Sequence, residues 1–310
     1  MIIFLILLTV FILIFAVLLF SYLKTFARSK KLAVYDMSKE AHFNDCIEIT
    51  KNLAEKIKNE PCEKVYILSH DKIKLHAKVY DFYKNAPVQI LFHGYRGSAF
   101  RDMCGGFYLA KKSGHNVILI DQRAHGESGS NTITFGVKER FDALKWVDFA
   151  IQRYGETVPI IISGVSMGAT TVLMASGENL PKNVKAIIAD SPFSSAEDVI
   201  KNTIKNMRLP INPTYFLVKL SGLIFGRFNL SSPTPLTQIS KCDIPILIFH
   251  GEKDGFVPVK MSEKLAQINP EKVTLCLFKD AGHALSYLTE PDKYERVVNE
   301  FLSKNGLLNA

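Results

Sequence analysis

Six short apolar runs recur between residues 87 and 280: VQILFHG, NVILID, PIIISGVS, VKAIIADSP, IPILIFHG and KVTLCLFKD. Each is apolar at consecutive rather than alternate positions. That pattern suits a strand covered on both faces, since a strand with one face in water would alternate. Longer helical patterns lie between them. In ERFDALKWVDFAIQRYG, for example, Phe141, Leu144, Val147 and Ile151 fall at helical spacing before the stop at Gly155. Strands alternating with helices build a doubly wound α/β domain around a mostly parallel sheet. Ahead of this series, KVYILS and KLHAKVYDF flank HDK and read as an antiparallel hairpin.

One interval breaks the rhythm. Residues 194–243 separate ADSPF from IPILIFHG, too long a stretch for an ordinary connection between a helix and a strand. Its helix-like apolar stretches predict a cap over the C-terminal edge of the sheet, where open α/β sheets bind ligands.

The amino terminus poses a different constraint. Residues 2–23, IIFLILLTVFILIFAVLLFSYL, are apolar apart from Thr9, Ser21 and Tyr22. As a helix this run covers roughly 33 Å, enough for the hydrocarbon core of a bilayer. It has neither a preceding Lys or Arg nor an A-x-A-like cleavage site, which favours a transmembrane anchor over a signal peptide. Lys24, Arg28, Lys30 and Lys31 follow directly, and the positive-inside bias then places the body of the protein in the cytoplasm. The five cysteines are widely spaced, with no disulfide or zinc pattern, and read as scattered reduced core thiols. The net charge of +8 is dispersed and carries no nucleic-acid motif, so attraction to anionic lipid is the simpler account.

The chemistry is expected at the strand ends. PIIISGVS runs into MGATTVLMA as a strand that turns sharply into a helix, with Gly164 and Gly168 flanking Ser166. Glycines there let backbones approach without a Cβ clash and display the serine at the sheet edge, while the Met167 amide at the helix start can face an oxyanion. A serine needs a base, itself oriented by an acid. His283, in KDAGHALS beyond the last strand, is the candidate base. His42, His70, His76 and His115 fall on expected surface segments, and His250 at a strand end reads as structural. For the acid, chain order and a loop position straight after a strand favour Asp254 in GEKDGFVP over Glu252 and Asp190. Tyr95, in FHGYRGS after the first strand of the parallel series, is placed to offer a second backbone N–H.

Taken in order, HGYRGS, GVSMGA, GEKDGFVP and AGHA resemble the α/β-hydrolase superfamily, and within it the BEM46-like and serine aminopeptidase-like members. IDQRAHGESGS and ADSPF look like segments of the same group, and the resemblance covers residues 62–304. It implies the α/β-hydrolase fold, with Ser166 as nucleophile, Asp254 as acid, His283 as base, Tyr95 and Met167 at the oxyanion hole, and neither metal nor organic cofactor. Serine at the elbow argues against the dehalogenase and epoxide hydrolase branches, which resemble this fold but carry aspartate there. The expected organisation is an anchor at 1–23, a juxtamembrane connector at 24–61, and a catalytic domain at 62–310 that acts without the anchor and carries its cap at 194–243. Within the connector, SKEAHFNDCIEITKNLAEKI reads as a helix capped by Ser38. The expected activity is hydrolysis of an ester, thioester or amide through an acyl-enzyme, with a small carboxylester or lipid-derived acyl substrate ranked first. A peptidase acting on short peptides and a non-catalytic membrane-tethered binding module are the alternatives.

Overall fold

The computed structural model describes residues 1–29, 43–231 and 233–308. The hairpin strands β1 (Glu63–Leu68) and β2 (Lys74–Tyr80) are followed by six more: β3 (Val88–Phe92), β4 (Asn116–Asp121), β5 (Ile160–Val165), β6 (Val184–Asp190), β7 (Ile246–Gly251) and β8 (Val273–Phe278). They form one sheet in the order β1-β2-β4-β3-β5-β6-β7-β8. β2 pairs antiparallel with β1 and β4, and the pairs from β4 through β3 to β8 are parallel. After β4 on one side of β3 the chain crosses to β5 on the other, so the crevice at the C-terminal ends of β3 and β5 is the topological switch point.

The helices are α1 (Ile2–Thr25), α2 (Phe43–Asn59), α3 (Ala99–Asp102), α4 (Cys104–Lys112), α5 (Glu139–Tyr154), α6 (Met167–Ala175), α7 (Ala196–Asn206), α8 (Ile211–Ser221), α9 (Pro235–Ile239), α10 (Lys260–Ile268), α11 (Ser286–Thr289) and α12 (Pro291–Lys304). Side chains of β5, β6 and β7 fill two buried clusters on opposite faces of the sheet, with α5 and α6 over one and α12 over the other, and β3 adds Val88, Ile90 and Phe92 to the first. The expected connector helix is α2; Ser38, like Lys30, Lys31 and His42, lies outside the described residues.

α5 differs from its expected face. Ala143, Trp146, Val147 and Ala150 are buried, whereas Phe141, Leu144 and Ile151 are only partly so. The helix is rotated because Asp142 also points inward, where its two oxygens accept from Nε and Nη2 of the buried Arg123 at 2.6 Å each. A bidentate ion pair of this kind satisfies a buried carboxylate that would otherwise turn to water.

The segment after β6 forms α7, α8 and a short π-helical turn at Gly222–Gly226, then returns to the sheet layer, where Ile239 of α9 joins the main core. α7 and α8 cover the C-terminal edge above Phe135, Met167 and Phe193, in a hydrophobic cluster separate from the sheet cores. α1 is long and apolar enough to cross a membrane. No disulfide links the five cysteines, all of them among the described residues, but Cys62 is exposed and Cys276 only half-buried, so they are not all core thiols.

Candidate active site

The elbow between β5 and α6 has no room for side chains at its glycines. A Cβ on Gly168 would lie 2.0 Å from the Phe92 carbonyl oxygen, and one on Gly164 would lie 2.3 Å from the Gly168 carbonyl carbon. This packing forces Ser166 to φ 54 and ψ −117, a conformation that costs a non-glycine residue free energy. The Ser166 amide donates to the Asp190 carbonyl at 2.8 Å, which fixes the turn from the neighbouring strand.

Three sequence-predicted side chains meet at this point. Ser166 Oγ lies 2.9 Å from His283 Nε2, and His283 Nδ1 lies 2.7 Å from Asp254 Oδ2. All three are buried, and the Phe256 ring packs edge-on against the imidazole at 5.0 Å. Asp254 Oδ1 accepts from the Phe256 and Val257 amides at 2.9 and 2.7 Å, so the carboxylate cannot rotate away. Burial alone would raise its pKa. The attraction of His283 and the hydrogen bonds from His250 and His283 overcome this and hold it well below the ordinary carboxylate range.

The rival acids stand elsewhere. Glu252 is exposed. Asp190 lies behind the histidine loop: its Oδ1 accepts from Ser191 Oγ at 2.9 Å and from Ser286 Oγ at 3.3 Å, and Ser191 Oγ in turn accepts from the Ala284 amide at 3.1 Å. Burial pushes its pKa up to about 6.

Two histidines expected at the surface are buried. His76 meets Asp121 at 2.8 Å, and His115 lies between Gln89 and the Leu307 carbonyl. His76 lies on the face of β2 opposite the core residues Leu75, Ala77 and Val79, where Asp121 and the Tyr66 ring cover it, and His115 is covered by the C-terminal tail. His70 is exposed as expected. His250 bonds to Ser262 and the Val257 carbonyl, and its Nε2 also lies 3.2 Å from Asp254 Oδ2, so it supports the acid directly.

Met167 opens α6, where first-turn amides have no intrahelical acceptor. Tyr95 follows β3 in a turn tied down by the Arg96 amide, which donates to His125 Nε2 at 2.9 Å. His125 Nδ1 lies 2.8 Å from the Arg123 carbonyl, which can only accept, so Nε2 is the free acceptor. Burial, with His93 adding to it, drops the His125 pKa to about 3 and keeps the ring neutral. The Tyr95 side chain was not foreseen: it stacks on Phe135, and its hydroxyl donates to the Thr25 carbonyl at 2.8 Å.

Ser166 lies at the floor of an apolar cavity of about 670 Å³, bounded by Tyr95, Phe135 and Phe193 below and by α7, α8 and α1 above. A smaller space of about 110 Å³ reaches Ser166 and His283 from the other side, past Gly94, Arg101 and Tyr287.

A profile of the α/β-hydrolase fold matches residues 87–216, the stretch from β3 through the elbow into α8. The chain has the α/β-hydrolase fold. Among solved structures of that fold, the Pyrococcus furiosus esterase Pf2001 superimposes with a TM-score of 0.68 at 25% identity, covering 90% of this chain and 98% of that one. Among curated proteins, the uncharacterized protein YqkD of Bacillus subtilis is 30% identical over 190 residues, 61% of this chain and 62% of its own length. The lysophosphatidylserine lipase ABHD12 of Rattus norvegicus is 26% identical over 235 residues, 71% of this chain and 57% of its own. The chain therefore spans less than two thirds of either curated relative.

Proposed function

We propose that the protein is a membrane-anchored serine hydrolase that cleaves a lipid-derived acyl ester through an acyl-enzyme. The observation that carries this reading is Ser166 Oγ, hydrogen-bonded to an imidazole backed by a buried carboxylate and opening onto an apolar cavity. As Ser166 Oγ attacks the ester carbonyl, its proton passes to His283 Nε2. Asp254 holds the imidazole in the required tautomer and stabilises its positive charge. The Tyr95 and Met167 amides receive the carbonyl oxygen as it becomes an oxyanion, where one such donor is worth about 3 kcal/mol. The leaving alkoxide takes the proton from His283; water, deprotonated by the same nitrogen, then releases the acid. The smaller space beside His283 gives leaving group and water an approach separate from the acyl chain.

A lipid-derived chain is favoured by the apolar cavity, whose size suits small-molecule sites of about 300–1,000 Å³, and by relatives named as an esterase and a lysophosphatidylserine lipase. A peptidase that grips a free amino terminus needs an acidic partner, and no carboxylate lines that cavity among the described residues. A binding module would have no use for three groups in line.

Ser166→Ala and His283→Ala should each reduce hydrolysis of a p-nitrophenyl ester by about 10⁴-fold or more while leaving a folded protein. Retention of a tenth of wild-type turnover in either would refute the assignment.

A further inference from the structure

The cavity over Ser166 has one wall that the reaction above does not use. Val17, Phe20, Ser21, Lys24 and Thr25 of α1 line it opposite α7 and α8. The first part of α1 projects with large exposed side chains, and only its last turns are docked. The docking is specific. Phe225, in the π-helical turn after α8, packs against Phe15 and Tyr22, and Phe26 packs edge-on against Phe228 and Phe135. Tyr22 Oη lies 2.6 Å from Thr132 Oγ1.

The end of α1 is also joined to the loop that carries the Tyr95 amide. A helix C-terminus leaves carbonyls without intrahelical donors. Arg96 Nη2 donates to those of Leu23, Lys24 and Ala27 at 3.3, 2.9 and 3.2 Å, and Tyr95 Oη donates to that of Thr25. The same two residues thus hold α1 and frame the candidate oxyanion site.

The rim of the cavity on this side is apolar and open. Val17, Phe20, Met207 and Leu209 line the cavity while remaining between 43% and 63% exposed. Phe216, Leu223 and Ile224 of the cap are exposed as well, and large exposed apolar surface marks a membrane, partner or ligand contact. A helix crossing a bilayer brings the hydrocarbon to its own docked end, which is where this rim lies.

We infer that α1 is a wall of the acyl site, and that the long acyl chain of a lipid ester passes from the bilayer along the seam between α1 and the cap to Ser166. This rests on the hydrolase reading and deepens it. It also reverses the expectation that residues beyond the anchor suffice, because without α1 the cavity is open along one side.

Tryptophan at Val17 or Ser21 narrows the seam from the α1 side. The full chain, in detergent micelles, is assayed with p-nitrophenyl esters from acetate to palmitate. In V17W and S21W the ratio of kcat/KM for palmitate to that for acetate should fall by about tenfold or more, whereas I6W, on the projecting part of α1, should keep the ratio within about twofold of wild type. Val17 is half exposed, so V17W carries the test if S21W misfolds. An unchanged ratio in V17W and every folded S21W preparation, with wild type active on the esters, overturns the inference and leaves the hydrolase reading standing. Wild type inactive on every ester overturns both.

Discussion

Two buried aspartates flank His283 and use their carboxyl groups in opposite ways. Asp254 faces two imidazoles and is held ionised, whereas Asp190 faces hydroxyls and is pushed up to about 6 by burial. Asp254→Asn should lower turnover by about 10⁴-fold, because the amide cannot hold the His283 tautomer. Asp190→Asn keeps an acceptor for Ser191 and Ser286 and should cost far less. Its stability effect has a definite sign. A carboxyl whose pKa is raised on folding favours the native state below its unfolded value of 3.8, and that contribution is lost as pH rises through about 6. Urea titrations should therefore find Asp190→Asn more stable than wild type at pH 8 and not at pH 4; the opposite order would mean that the Ser191 and Ser286 hydroxyls outweigh the burial of a charged Asp190. Ser166, Asp254 and His283 could be picked from the sequence because each follows a strand in a fixed chain order. The burial of His76 and His115 could not, since Asp121 and Leu307 reach them only through the tertiary fold.

At the scale of elements, the elbow is where backbone geometry limits substitution most sharply. Gly168→Ala would press a methyl against the Phe92 carbonyl. It should destabilise the protein by about 2 kcal/mol or more and disturb Ser166, measurable as a lower urea midpoint together with lost ester hydrolysis. A fully active, equally stable variant would mean that β3 and α6 are not packed as described. β3 to β8 were legible because their apolar runs are short and bounded by turn residues, and β1 and β2 because they flank the turn at HDK. The face of α5 was not, because apolar spacing gave no hint that Asp142 turns inward to Arg123. Nor was the docking of α1, whose uniformly apolar sequence distinguishes no side; its contacts with Phe225, Phe228 and Arg96 come from residues distant in the chain.

For the molecule as a whole, an apolar helix and an apolar cavity share one boundary, which is why anchoring and substrate choice are proposed together. The full chain should sediment with membranes and remain there after a high-salt wash, since salt screens Lys24 and Arg28 but does not expel a spanning helix. Release by salt alone would argue for surface attachment. The mostly parallel α/β class was readable from the alternation of strands and helices, whereas the strand order and the cavity wall needed the three-dimensional path of the chain. The central claim is that Ser166 is an activated nucleophile. Its most direct test is to react the full chain with a fluorophosphonate and map the modified peptide by mass spectrometry. The account predicts stoichiometric labelling at Ser166, abolished in His283→Ala; a folded wild-type chain that stays unlabelled, or is labelled at another residue, would contradict it.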